Sequence, residues 1–277
     1  MMNSSETQSS LEFVFLSISA AITHPDRIPE WQDHWQIKML KNKKLSIYKF
    51  VIQFIRILFL MGILQVHADD IEIYGGITSD LIYRGISQSS GKPRATLSLD
   101  WNRNNGMYFG TNISAGEAAG RFRREKDYSA YAGYFTSIGK DDAVEFSLSY
   151  YAFQGEFPRS WDYLEMRSDY HFAKNVSLTL AYTDDYYGRD IKNTYTSINW
   201  RPEIYDSVYG LLTLGNTHIK SSYFSNNIRD YSVGIVTSFD RWDIHLGYFY
   251  AEDEVRSVYE SSAVGGRTAI QINYAIY

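Results

Sequence analysis

Glu165, Arg167, Asp169 and His171 occupy alternate positions of one run. In an extended chain every second side chain projects to the same face, so these four form a single charged row. Glu145, Asp243 and His245 hold the matching positions of two other runs. Such rows could line a water-filled passage. Catalysis has little to work with. The chain contains no G-x-S-x-G elbow, no phosphate-binding glycine loop, no H-E-x-x-H and no paired-histidine metal spacing. Beyond position 68 there are three histidines, His171, His218 and His245, each alone in its run. A Ser–His pair on a barrel wall would need the two side chains adjacent in space, which spacing along the chain does not provide. No catalytic, cofactor-binding or metal-binding residue is therefore expected. Glu145, Glu165, Arg167, Asp169, His171, Asp243 and His245 are candidate pore-lining residues. The competing reading of the Glu165–His171 row is a set of cross-strand ion pairs inside a plugged barrel.

The elements that carry these residues have a period of two, the period of strands. Val144, Phe146, Leu148 and Tyr150 oppose Glu145, Ser147 and Ser149; Trp242, Ile244, Leu246, Tyr248 and Tyr250 oppose Asp243, His245 and Gly247. Twelve such runs are predicted, at 71–84, 95–103, 106–115, 128–138, 142–153, 161–173, 175–184, 193–201, 207–217, 228–239, 242–252 and 267–277. Most approach the nine to eleven residues that a tilted membrane strand needs. Tight turns at 103–106, 139–142, 173–175 and 239–242 alternate with longer connections at 85–94, 116–127, 154–160, 185–192, 218–227 and 253–266, and the connection at 202–206 is the loosest of the short set. Outer-membrane barrels show this asymmetry, with short periplasmic turns and long external loops.

Composition agrees. Mean hydropathy is −0.32 despite 44% hydrophobic residues, and no apolar run of about 20 residues follows Ala68, so a bundle of spanning helices is excluded. Aromatic residues make up 16%, and 23 of the 24 tyrosines lie beyond position 68; tyrosine suits pleated, half-buried surfaces and membrane interfaces. With no cysteine there is no disulfide framework and no thiolate metal site. Residues 69–277 carry 20 Lys/Arg against 27 Asp/Glu, an acidic balance unsuited to nucleic acid.

The amino-terminal segment reads as an address. Lys41, Lys43, Lys44 and Lys49 precede the apolar stretch Phe50–Leu64, and Val66-His67-Ala68 and Asp69-Asp70 follow. This is the charged, apolar, small-residue order of a secretory signal peptide, here 39–68. Met39 precedes the basic run, so 1–38 is expected to be a mis-called extension, and 69–277 the barrel.

Alternation does not say which face is wet. Twelve strands in a ring enclose more space than side chains fill. Glu, Arg, Asp and His on one face are costly in a dry core and tolerable in a wet lumen. In hydrocarbon every backbone polar group must be paired within the protein, which strands achieve only as a closed cylinder. The last predicted strand ends in the aromatic Tyr277, similar to the assembly signal of outer-membrane barrels, although Ala275 stands where a second aromatic is usual. The expected fold is an all-β, antiparallel transmembrane barrel of about twelve strands in the outer membrane of a Gram-negative cell.

The segment Thr78-Ser79-Asp80-Leu81-Ile82-Tyr83-Arg84-Gly85-Ile86-Ser87-Gln88 resembles the opening of the TorF-like porins, the Gcw_chp family, whose members read S-D-Y-x-[YF]-R-G-[IV]-S-Q; Leu81 replaces their aromatic. Gly106-Met107-Tyr108-Phe109-Gly110-Thr111-Asn112, Tyr131-Ala132-Gly133-Tyr134 and Ala181–Gly188 are similar to later family motifs. The resemblance implies an outer-membrane barrel of porin type and brings no substrate and no catalytic residues. Arg84 is a candidate mouth residue that would bias a pore toward anions, or else pairs with a loop carboxylate while Gly85 permits a bend. The basic run Arg121–Asp127 is expected in an external loop, either touching anionic lipopolysaccharide or simply solvated.

Together these expectations describe a passive channel for small polar solutes. The alternatives are a barrel enzyme of lipid- or peptide-hydrolase type and a closed structural or adhesin barrel. The expected partners are outer-membrane lipid and lipopolysaccharide, the barrel-assembly machinery and the solutes themselves, with no cofactor and no nucleic acid. No stripe marking a subunit contact stands out.

Overall fold

Alternating side chains can bury one face only if the strands pair edge to edge, and the pairing found leaves no edge in the wall. The computed structural model describes residues 70–119, 124–155, 161–172, 175–252 and 263–276. Residues 1–69, with the expected extension and signal peptide, lie outside the described residues, as does Tyr277.

The wall is formed by β1 (Asp70–Thr78), β4 (Arg94–Asn102), β5 (Met107–Ala119), β6 (Arg124–Ser137), β7 (Ala143–Gln154), β8 (Tyr163–Phe172), β9 (Val176–Thr183), β10 (Lys192–Trp200), β12 (Val208–Lys220), β13 (Ser225–Phe239), β14 (Trp242–Ala251) and β15 (Gly265–Ala275). Each pairs antiparallel with the next. The ring closes where β1 meets β15, with Tyr74 opposite Ala275 and Thr78 opposite Gln271. The twelve wall strands are the twelve predicted.

Three short strands lie off the ring. β2 (Ile82–Tyr83) and β3 (Ile86–Ser87) form a hairpin of their own. β11 (Glu203–Tyr205) folds against the start of β12, which is why the 202–206 connection reads as loose. Two boundaries differ from expectation. The first strand stops at Thr78 instead of running to 84, because Asp80 and the residues after it turn inward. At the other end, the ladder between β5 and β6 extends to Ala119–Arg124, so 124–127 belong to a strand and not to the external loop; 120–123 lie outside the described residues.

The outward face has three bands. Leu97, Leu99, Ile113, Met166, Leu178, Leu180, Val233, Ile235, Leu246 and Ile270 are large, apolar and exposed. Toward the short turns the outward residues become aromatic: Trp101 against Phe109, Tyr170 against Phe172, Trp242 against Tyr274, and Trp200. Toward the long loops Tyr231, Tyr248 and Tyr250 form a second aromatic group. An apolar band between two aromatic girdles matches a bilayer's hydrocarbon layer and its two interfaces. In water such a surface would be an aggregation hazard. The protein is therefore an outer-membrane barrel, with the short turns on the periplasmic side.

Inside, two strands interlock through their aromatic–glycine motifs. On β5, Tyr108 lies across Gly133 of β6; on β6, Tyr131 lies across Gly110 of β5, and a Cβ on either glycine would collide with the ring. The rings sit 6.2 Å apart. Passing over the neighbouring strand, the Tyr108 hydroxyl donates to Glu145 on β7 and the Tyr131 hydroxyl to Asp100 on β4. Four strands are thus tied by two rings and two carboxylates.

Leu246 stands on the outward face between Trp242 and Tyr250. Replacing it with Arg places a charge in hydrocarbon and is expected to cost about 2–4 kcal/mol. His245→Arg, one residue away on the inward face, should cost far less. Urea unfolding of the two variants in phospholipid vesicles measures the difference, and equal losses would contradict the assignment of faces.

Candidate functional site

The inward faces divide into a polar half toward the turns and a packed half toward the loops. In the polar half, Arg167 on β8 grips Asp169 two residues on, with Nε and Nη2 at 2.6 and 2.9 Å from the carboxylate. The Thr179 hydroxyl of β9 donates to the same carboxylate at 2.6 Å. Beside them Asn199 donates to Ser177, Thr179 and Ser197 and accepts from Thr213, a web of uncharged groups across β9, β10 and β12. His171 Nε2 lies 3.5 Å from Glu145, and its ring faces Phe135. Asp243 and His245 stand on the inward face of β14, opposite Asn273 and Gln271 of β15.

All seven predicted lining residues thus face the interior, but they differ in access. The side chains of Arg167, His171 and Glu145 are 45%, 37% and 28% exposed, so they stand open on the inward face. Asp169 and Glu165 are sealed into pairs, at 4% and 2%. The remaining histidine, His218, points outward and meets Asn227 at 3.0 Å. Among the described residues, the partners found for His171 and His218 are a carboxylate, an amide and a ring, not a serine, and no three His, Cys, Asp or Glu side chains gather as a metal would require.

The packed half is organised by the segment that follows β1, and the recognisable motif of the sequence is that segment. Asp80 is its hub. Its carboxylate accepts from the hydroxyls of Ser87 and Ser89 at 2.5 and 2.7 Å, from the Gly91 amide at 3.3 Å and from Arg267 of β15 at 2.9 Å. Ser79 ties the segment to Ile270 by backbone and side chain. Gln88 accepts from the Tyr187 hydroxyl.

Arg84 and Gly85 link β2 to β3 with φ of 53° and 72°, the left-handed pair of a tight hairpin turn. Only glycine fits the second position. A Cβ on Gly85 would strike the Tyr250 carbonyl of β14 and the Asp230 side chain of β13. Arg at the first position is held against its backbone preference by what its side chain reaches. Nη2 lies 2.7 Å from Glu165 on β8, and the guanidinium covers the rings of Tyr83 and Tyr195 at 4.6 and 4.2 Å. Tyr83 donates to the same Glu165. Burial alone would lower the Arg84 pKa; the facing Tyr83 and Glu165 reverse that and hold it above the ordinary guanidinium value.

The hairpin therefore leaves the wall at β1 and reaches β8 and β10, nearly opposite in the ring. Arg84 pairs as one reading anticipated, but with a strand carboxylate, Glu165 of β8, rather than a loop one.

Around the hairpin lies an apolar core. Ile86 packs with Trp161, Tyr163, Tyr186, Tyr187, Ile191, Ile219 and Ile228, and Tyr163 meets Tyr151, Phe153, Tyr186 and Tyr187 with ring centroids 4.9–6.1 Å apart. Ile219 and Ile228 thus point inward, against the expectation of a wholly hydrophilic interior, because at this level the lumen holds protein instead of water.

Asp230, Asn193 and Tyr195 were not singled out from the sequence. Their signal is parity alone: each shares the inward phase of its strand with neighbouring buried residues.

Asp80→Ala removes the hub and leaves Arg267 facing an empty place. Truncating one member of a buried pair costs about 3–5 kcal/mol. The variant is expected to unfold earlier in denaturant and to become cleavable between residues 79 and 93 by added protease, whereas Lys92→Ala, at an exposed pair with Glu117, should change neither.

Residues 71–275 match the model of a family described as "Bacterial protein of unknown function (Gcw_chp)". That description carries neither an activity nor the TorF-like label. No curated protein matches the sequence. Among solved structures the chain is similar to the KdgM porin, at 11% identity over 75% of this chain and 100% of that one, TM-score 0.48. It is likewise similar to the NanC porin, at 8% identity over 75% and 100%, TM-score 0.48. An outer membrane channel of Pseudomonas putida F1 matches at 11% identity over 76% and 96%, TM-score 0.44. The likeness is one of fold alone.

Proposed function

This chain belongs to the Gcw_chp family, and we propose that it is an outer-membrane channel for the passive diffusion of small polar solutes. The observation that carries this reading is the turn-side half of the lumen, where Arg167, His171 and Glu145 stand solvated on an inward wall. A barrel whose only task was structural would have no need of a wet, charged interior. Solutes cross by diffusion along this wall, and the 79–93 hairpin sets the constriction. Lipopolysaccharide surrounds the external loops, and the barrel-assembly machinery inserts the chain. No residue is assigned a catalytic role, and the hydrolase reading draws no support from the histidines' surroundings.

A second reading has one observation in its favour. The apolar core around Ile86 and Tyr163 fills the loop side of the lumen as a plug would, which suits a closed structural or adhesin barrel.

Planar-bilayer recording separates the two. Wild-type protein is expected to give discrete ion steps, and a variant with residues 80–91 replaced by a glycine–serine linker should give steps several-fold larger. If the shortened variant conducts while the wild type is silent, the hairpin is a plug. Silence from both would end the channel reading.

A further inference from the structure

Arg84 is surrounded as a ligand would be. Its guanidinium is bonded to Glu165 and lies over the Tyr83 and Tyr195 rings; the buried Asp230 stands beside its turn, its own Cβ within reach of a Cβ on Gly85, and its carboxylate accepts from the Tyr195 hydroxyl. Carboxylate acceptors with aromatic faces on both sides are the chemistry by which proteins hold guanidinium and substituted ammonium groups. The surroundings also offer more than Arg84 uses. Glu165 Oε2 and Asp230 Oδ1 are buried without a hydrogen-bond partner, as are both polar atoms of the Asn193 amide and Nη1 of Arg84 itself. Glu165, Asn193 and Asp230 are each 5% exposed or less. Buried acceptors are seldom left unmet. Glu165 bonds the guanidinium and Asp230 bonds Tyr195, whose ring the guanidinium covers, so two carboxylates line the place and an anion is disfavoured there.

We propose that Glu165, Asp230, Asn193, Tyr83 and Tyr195 form a binding site for organic cations of guanidinium type, and that Arg84 is its tethered occupant. The constriction is then held by a bond that a cationic solute can compete for. A guanidinium arriving from the lumen takes Glu165, Arg84 is released, and the hairpin loses its far anchor. The existence of the site does not depend on conduction; the link between occupancy and passage rests on the channel reading above.

The test is thermal unfolding of the whole barrel in detergent, with guanidinium chloride at low millimolar concentration against equal sodium chloride. R84A is expected to melt several degrees below wild type and to regain much of that loss in guanidinium but not in sodium, since a ligand that binds only the folded state raises its stability by mass action. Wild type, with the site filled, should shift in neither salt. The double variant R84A/E165Q should regain nothing. An equal response of R84A to both salts overturns the proposal, as does rescue that survives E165Q. Should R84A fail to refold, refolding yield in the two salts becomes the readout, and equal yields overturn it. In bilayers, guanidinium at concentrations well above those of the melting test should displace the tethered Arg84 and raise wild-type conductance beyond what sodium gives. Thermal rescue without that effect would leave the site standing and sink only its coupling to passage.

Discussion

Hydrocarbon offers a backbone amide nothing to bond to, and every other feature of this protein follows from that. A strand crossing the membrane must find both neighbours within its own chain, so the first strand has to meet the last. Here β1 meets β15 from Tyr74–Ala275 to Thr78–Gln271. Once the ring is closed, the alternation of side chains sends Leu, Ile and aromatic residues to lipid and everything else inward, whether or not the interior can be filled.

Twelve strands make a ring too wide for wall side chains to fill, and the protein meets that surplus in two ways. Toward the turns it leaves side chains exposed on the inward face and ties the charges to tyrosine hydroxyls and to one another. Toward the loops it brings in a second piece of chain, with a hydrophobic core of its own and buried ion pairs at either end, Asp80–Arg267 and Arg84–Glu165. Buried pairs of this kind add little net stability, because desolvation offsets attraction, but an unmatched member is very unfavourable. They fix position: the hairpin has one seat in which both pairs form.

The wall was legible in the sequence because the period of two is imposed by geometry at every residue. The strand count, the alternation of turns and loops, and the inward placement of Glu145, Glu165, Arg167, Asp169, His171, Asp243 and His245 all descend from it. Parity says nothing about what occupies the lumen at a given depth. Glu165 and Arg167 are two residues apart on one face, yet one is sealed and the other wet, because the hairpin covers only the first. The motif from Ser79 to Gln88 was conspicuous as a pattern, but its meaning lies in partners up to 191 residues away. The first strand was drawn too long for the same reason: Ile82 and Tyr83 continue the strand-like pattern, while Asp80 binds Ser87 and Ser89 and turns the chain off the wall.

Since the hairpin leaves at β1 and is bonded at β8 and β10, it crosses the cylinder as a spoke crosses a wheel. A closed sheet resists stretching along its hydrogen bonds more than it resists bending of the cylinder across them. A spoke fastened at both rims opposes it. The protein thus carries its own stiffener toward the loop side, while the turn-side half is held by shorter ties between neighbouring strands, from Tyr108 and Tyr131 to their carboxylates and through the Asn199 web.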